Sequence, residues 1–389
     1  MQNPTLIHAK ALRSQLDACA KDLGLTIVGV TSAEPFTEEA KVASARLGDG
    51  LMGNLPWYTE ERIQRGAHPA TILPGARSII SIAASYYSEQ TGTHGSGRVA
   101  RYAWGRDYHN VLKKRLKQLV AKLSLQLEQP IAHKVYVDDG PMMDRSVAHR
   151  AGLGFFGKNT MILTEVGSWT FLGQIITDLE LVPDGPSQKS CGSCTKCMPA
   201  CPTGAIVAPY VIDSNRCISY LTIEHRGPIP RELRPLIADW IFGCDLCQDV
   251  CPVNTVRGET VGDDAFAPNP DWSSLDPIAV LALDEESFRA RFQGNPIRRA
   301  TWEGLRRNAC VVLGNLGDAG AIPSLVIALQ DASALVRGHA AWALEQLGGT
   351  EVERALLAAQ GTETDPWVLE EIELAITPTT KQENPDAKH

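Results

Sequence analysis

Eight of the ten cysteines in this 389-residue chain fall between Cys191 and Cys251, and their spacing limits what that segment can fold into. The first group reads Cys191-x2-Cys194-x2-Cys197-x3-Cys201-Pro202. In such a run three thiolates hold one 4Fe–4S cluster and the fourth reaches a second. The second group, Cys244-x2-Cys247-x3-Cys251-Pro252, repeats the end of the run without its first cysteine, for which Cys217 is the available substitute. Exchanging the fourth positions gives one set of Cys191, Cys194, Cys197 and Cys251, and another of Cys201, Cys217, Cys244 and Cys247. A pair of zinc sites is the alternative, although zinc does not call for the x3-Cys-Pro ending. Two neighbouring clusters make an electron relay, and the segment that holds them needs its metal to fold. Cys19 and Cys310 lie on apolar helix faces without ligand-spaced neighbours and read as small buried hydrophobes.

The composition agrees with a multidomain globular protein: 44% hydrophobic and 21% charged, with no apolar run long enough to span a bilayer. The N-terminus lacks the basic start, apolar block and cleavage site of a secretory signal, so a cytoplasmic protein is expected. A net charge of −8 argues against indiscriminate nucleic-acid coating but allows one local basic face.

Three regions and a tail follow from the pattern. Residues 1–185 read as an α/β domain. Leu12, Leu16, Cys19 and Leu23 share a helix face, Leu25 to Val30 and Ser78 to Ala84 read as strands, and Leu112, Leu116, Leu119, Leu123 and Leu127 mark a long helix. The strand in IAHKVYVDDG ends at Asp138 and Asp139 before Gly140, and a Gly-rich turn follows at Gly152, Gly154 and Gly157. Residues 186–262 form the ferredoxin-like two-cluster region, in which RELRPLIADWIFG reads as helix. Residues 263–376 are all-α: Arg306, Ala309, Leu313, Leu316 and Gly317 recur 31 residues later as Arg337, Ala340, Leu344, Leu347 and Gly348, a HEAT-like repeat. The tail 377–389 has no apolar face and is expected to be disordered.

The segments VDDGPMMDRSVAHRAGLGFFGKNTMIL, RYAWGRDYHNVL and CGSCTKCMPACPTGAI with RCISYLT resemble the epoxyqueuosine reductase family, and the likeness spans nearly the whole chain. The resemblance implies a cobalamin-dependent enzyme. Its reaction removes the epoxide oxygen from epoxyqueuosine at the wobble position of certain transfer RNAs. An external donor would feed electrons through the clusters to cobalt. The chain itself carries no sign of a corrinoid. Asp107 and His109 begin an Asp-x-His-x-x-Gly pattern, but Leu112 holds the glycine position, so no histidine ligand to cobalt is expected.

Losing the epoxide oxygen as water requires a proton donor. Asp138 matches the family's donor in Val-Asp-x-Gly/Ala, and burial beside a corrin is expected to raise its pKa. Its competing use is to cap the turn at Gly140. By the same resemblance Arg65, Ala100 and Ile162 match cofactor-contact positions, Ser219 and Asp245 sit beside cluster ligands, and Lys158 and Asn159 follow the Gly-rich turn. From sequence alone, a solvated surface position is the stronger reading of Arg65.

For RNA phosphates the candidates are Arg226, Arg231, Arg234, Arg298, Arg299, Arg306 and Arg307, and for base stacking Trp57, Tyr58, Trp104 and Tyr220. A monomer is expected. Two other functions fit the cysteines: a reductive dehalogenase-like corrinoid enzyme, which the helical-repeat tail disfavours, and an electron-transfer subunit, which leaves the first region without a role.

Overall fold

A computed structural model describes residues 4–89, 96–257 and 264–377. Apart from Thr377, the tail expected to be disordered lies outside the described residues, as do residues 258–262 of the cluster region. In the first region the order is α1 (Pro4–Lys21), β1 (Ile27–Ser32), α2 (Thr37–Gly48), α3 (Glu60–Ala67), α4 (Pro69–Ile72), β2 (Ser78–Ser85) and β3 (Gly97–Val99). Then come α5 (Tyr108–Gln126), β4 (His133–Tyr136), α6 (Asp144–Arg150), β5 (Gly154–Phe156), β6 (Ile162–Thr164) and β7 (Thr170–Thr177).

Four of these strands form a sheet in the order β1-β2-β7-β4, antiparallel throughout. Alternate residues along β2 and β7 face opposite layers. Ile80, Ile82, Phe171 and Ile175 pack against Leu12 and Leu16 of α1 and against the leucine stripe of α5. Ile79 and Ile176 face the other way, toward Phe36, Ile63 and Val147. The strand expected to run to Asp138 stops at Tyr136, so Asp138 lies in the turn beyond it.

The third region bears out the repeat. The helices Trp302–Leu316 and Ala334–Leu347 each end at a glycine with positive φ, Gly317 at +69° and Gly348 at +65°. The recurring arginine of each repeat ties the next loop: Arg306 pairs with Asp331, and Arg337 with Glu363 at 2.7 Å.

RELRPLIADWIFG is not a helix. It forms two 3-10 turns, Arg231–Leu233 and Pro235–Ile237, then the strand Trp240–Phe242. Pro235 lacks the N–H a longer helix needs, and Ala238, at φ +53°, reverses the chain. That strand pairs in parallel with β3, whose other edge pairs with Ser274–Leu275. All three sequence regions therefore share one small sheet and the core around it.

Candidate active site

The turn after β4 places two adjacent carboxylates in different roles. Asp138 adopts a left-handed backbone, φ +53°, which aspartate tolerates better than most residues. Asp139 holds the turn: its Oδ1 accepts from the Val137 N–H at 3.0 Å, and its Oδ2 pairs with Lys113 of α5. Burial opposes its charge, but the Lys113 ammonium and the Val137 N–H together hold its pKa below the usual carboxylate value. The turn-capping task is thus met by Asp139, and Asp138 is left free of it.

Asp138 is exposed, contrary to the buried strand end expected from the sequence, because none of the described residues covers it. Its Oδ2 accepts a 2.6 Å hydrogen bond from the Tyr108 hydroxyl, at the first turn of α5. Tyr108 is fixed between two rings, stacked on Phe171 at 4.2 Å and on His109 at 4.1 Å. Burial and the nearby Asp138 carboxylate push the Tyr108 pKa well above its ordinary value, so it remains a donor. His109 is structural here, with Nδ1 2.7 Å from the Asp107 carboxylate that caps α5. α3 packs against the same turn: Arg62 donates to the Gly140 carbonyl, and a side chain at Gly66 would strike the Pro141 carbonyl.

Two groups lie near Asp138 that the sequence does not connect with it. Arg299, brought in from the third region, pairs with Glu224 at 2.5 Å and also senses the charge of Asp138. Asp144, the first residue of α6, turns its carboxyl inward with Oδ1 buried, and burial together with the Asp138 charge raises its pKa to about 8. Only its place six residues after Asp138 could have drawn attention to it.

The cluster region presents its thiols in two sets. Cys197 lies near Cys191, Cys194 and Cys251, Cys217 near Cys201, and Cys244 near Cys247 and Cys217, while Cys247 also senses Cys197, so the two sets adjoin. None is in a disulfide. Eight thiols in runs that end in x3-Cys-Pro are the donor set of two four-iron clusters, and zinc does not call for that ending, so the residues fit clusters better than zinc.

Other candidate residues divide between fastening the cluster region and facing solvent. Lys158 donates to the Gly192 carbonyl at 2.9 Å, and Asn159 to that of Cys247 at 3.3 Å, so the Gly-rich turn clasps both cysteine groups. Asp245 accepts from the Arg101 backbone N–H at 2.8 Å, and Ala100 donates to Phe242 at 2.8 Å, joining the end of β3 to the second group. Ser219 donates to the Cys244 carbonyl at 3.5 Å and lies beside the Cys217 thiol. Ile162 is enclosed among Ala83, Ala148 and Leu153, away from these polar groups. Arg65 is exposed at the end of α3. For a corrin, whose rim carries amides, the exposed polar groups of Arg65 and Asp138 and the half-buried hydroxyl of Ser219 are chemically suited. The buried Ala100, Asn159, Ile162 and Asp245 can offer such a ligand little more than backbone atoms.

Most arginines proposed for RNA serve the fold instead. Arg234 is buried and pairs with Glu371 at 2.6 Å; Arg231 pairs with Glu345 and Glu371. Arg307 is buried and donates to the carbonyls of Leu221, His225 and Gly227, and Arg226 donates to those of Ile223 and Arg299. These loops have few backbone partners, and a guanidinium with five N–H donors satisfies several carbonyls at once. Arg298 is exposed without an ion pair or side-chain hydrogen bond among the described residues. Of the aromatic candidates, Trp104 and Tyr220 are core residues, Tyr58 is half-buried, and Trp57 is 40% exposed.

Three family models match: "Epoxyqueuosine reductase QueG, DUF1730" over residues 67–139, "4Fe-4S double cluster binding domain" over 190–254, and "HEAT repeats" over 297–377. An epoxyqueuosine reductase of Xanthomonas campestris is 39% identical over 345 residues, covering 86% of this chain and 96% of the relative. A crystal structure of epoxyqueuosine reductase with an epoxyqueuosine-modified tRNA-Tyr stem loop superimposes with a TM-score of 0.88 at 34% identity, covering 95% of this chain and 98% of the other. A Bacillus subtilis epoxyqueuosine reductase, captured with an aspartate-bearing catalytic loop swung out of its active site, matches at the same TM-score of 0.88 and 34% identity, covering 95% and 99%.

Proposed function

The chain belongs to the epoxyqueuosine reductase family of oxidoreductases, and on that premise we propose that it reduces epoxyqueuosine to queuosine in transfer RNA with Asp138 as proton donor. One observation carries the assignment of Asp138. Its neighbour Asp139 already holds the turn, while Asp138 is exposed and directed by a buried tyrosine hydroxyl. A residue in strained backbone that the turn does not need is a candidate for chemistry.

In this reading Cys191, Cys194, Cys197 and Cys251 hold one 4Fe–4S cluster, and Cys201, Cys217, Cys244 and Cys247 hold the second. An external reductant loads the relay. By resemblance the cobalamin contacts would come from Arg65, Lys158 and Ser219 through their side chains and from the buried Ala100, Asn159, Ile162 and Asp245 through backbone atoms, and cobalamin when bound supplies a strongly reducing metal centre. The chain's own contribution is to fix the geometry. Tyr108 and the Asp139–Lys113 pair set the direction of the Asp138 carboxyl, which protonates the epoxide oxygen as it leaves. The RNA would approach over the solvent face of α5, where Lys114 and Lys117 are exposed, and past Arg298.

Asp138→Asn tests the assignment. The amide keeps the carboxyl's shape but has no acidic proton, so the variant should retain both clusters and RNA binding while turnover falls by about 100-fold or more. Unchanged turnover would make Asp138 a turn residue only.

A further inference from the structure

Behind the Asp138 turn the core contains three polar atoms without partners: Asp144 Oδ1, Gln174 Oε1 and Ser81 Oγ, all buried. They belong to one place. Ser81 and Gln174 face each other across β2 and β7, and Gln174 Nε2 donates to the Asp144 backbone carbonyl at 3.3 Å. The neighbouring side chains on that face, Ile79, Ala83 and Ile176, are buried and apolar. Unsatisfied polar atoms are rare in such surroundings, and internal water is their usual partner.

We infer that Asp144 is an internal proton store for Asp138, set in a small polar cell completed by Gln174 and Ser81. The inference rests on the reading of Asp138 as proton donor. Asp138 is exposed, and the side open to solvent is the side a substrate must occupy to meet it. Once the substrate is seated, solvent cannot return a proton by that route. Opening the epoxide and releasing its oxygen as water consumes two electrons, supplied by the external reductant of the family's reaction, and two protons.

Asp138 gives the first proton to the epoxide oxygen as one C–O bond breaks, and the freed ring carbon takes up the two electrons from the reductant. Asp144 then passes its proton to the Asp138 carboxylate, breaking one O–H bond and forming another. Asp138 gives this second proton to the same oxygen, the remaining C–O bond breaks, and the two electrons appear in the new C=C bond. Asp144 recovers its proton from solvent after the product leaves.

The charges around Asp144 suit the role. Burial, the Asp138 charge and, more weakly, Asp139 retain its proton to about pH 8, against its own backbone N–H and the Arg145 guanidinium. β1, β2, β5, β6 and β7 present no ionisable side chain to α6, and β4 presents Tyr136 and the exposed Lys134 on this face.

The test compares Asp144→Asn, which keeps the shape but cannot release a proton, with Asp144→Glu, which can. Asp144→Asn should keep wild-type cluster content and RNA affinity, lower kcat by about 10-fold or more, and lack the alkaline fall in kcat expected of the wild type near pH 8. Asp144→Glu should restore that fall. Infrared spectroscopy of the wild type gives a readout independent of turnover: a protonated-carboxyl band at neutral pH that titrates away near pH 8 and is missing from Asp144→Asn. Wild-type kcat with its alkaline fall intact in Asp144→Asn, or no such band in the wild type, overturns the inference. If Asp138→Asn turns over normally while the band is present, the reading of Asp138 has failed and the role as its proton store falls with it, although Asp144 still holds a proton.

Discussion

The Tyr108 hydroxyl donates to Asp138 Oδ2 at 2.6 Å, and its ring lies 4.2 Å from that of Phe171 at an interplanar angle of 2°. The stacking fixes the ring, and the hydrogen bond fixes the carboxyl. Tyr108→Phe should therefore preserve the fold and lower turnover by about 10- to 100-fold, the worth of a hydrogen bond to a charged group. Equal thermal stability with reduced kcat is the expected pair of measurements. Unchanged kcat would mean that the carboxyl is directed by something else.

The inward-turned Asp144 carboxyl also makes stability depend on pH. Its folded pKa, about 8, lies above its ordinary 3.8, so its contribution is fully present below the ordinary value and is lost as pH rises through about 8. Denaturant titrations across that window should show wild-type stability declining relative to Asp144→Asn. Parallel curves for the two proteins would contradict the assigned shift.

Cys217 stands in for the missing first cysteine of the second group. Anaerobic preparations should contain about eight iron atoms per chain, and Cys217→Ala should fall to about four. Stoichiometric zinc without acid-labile sulfide, or a full iron count in the variant, would contradict the ligand sets.

Lys114 and Lys117 lie on the solvent face of α5 with no ion pair or side-chain hydrogen bond among the described residues. Reversing both to glutamate keeps good helix formers in place. RNA affinity should fall, and the slope of log K against log salt should shrink by about one for each phosphate that the chain no longer neutralises. Reversing Arg299 is a poorer test, because it also breaks the pair with Glu224. An unaltered salt slope in the lysine variant would place the RNA elsewhere.

Features governed by local periodicity were legible in the sequence. The leucines of α5 and the 31-residue repeat from Arg306 to Arg337 recur at helical intervals, and most of each stripe is buried in a core. The cysteines were legible because ligand spacing is local within each group. What failed depended on distant partners. RELRPLIADWIFG has helical composition, yet its last residues complete a sheet with β3, about 140 positions earlier in the chain. Arg234 and Arg307 looked like a basic surface because their partners, Glu371 and the carbonyls around Gly227, are not adjacent in sequence. Asp138 and Asp139 stood together at the strand end with Asp138 as the donor candidate, and only the Val137 and Lys113 interactions show that Asp139 holds the turn.

The central claim, reduction of the modified base in RNA, is tested most directly by mass spectrometry of nucleosides from an epoxyqueuosine-containing anticodon stem-loop. The loop is treated anaerobically with the reduced, cobalamin-loaded protein. The account predicts that epoxyqueuosine loses one oxygen atom to become queuosine, and that Asp138→Asn with the same cluster content leaves most of it unconverted. An untouched epoxide under wild-type protein that passes electrons rapidly to another redox protein would contradict the account and leave the chain an electron carrier.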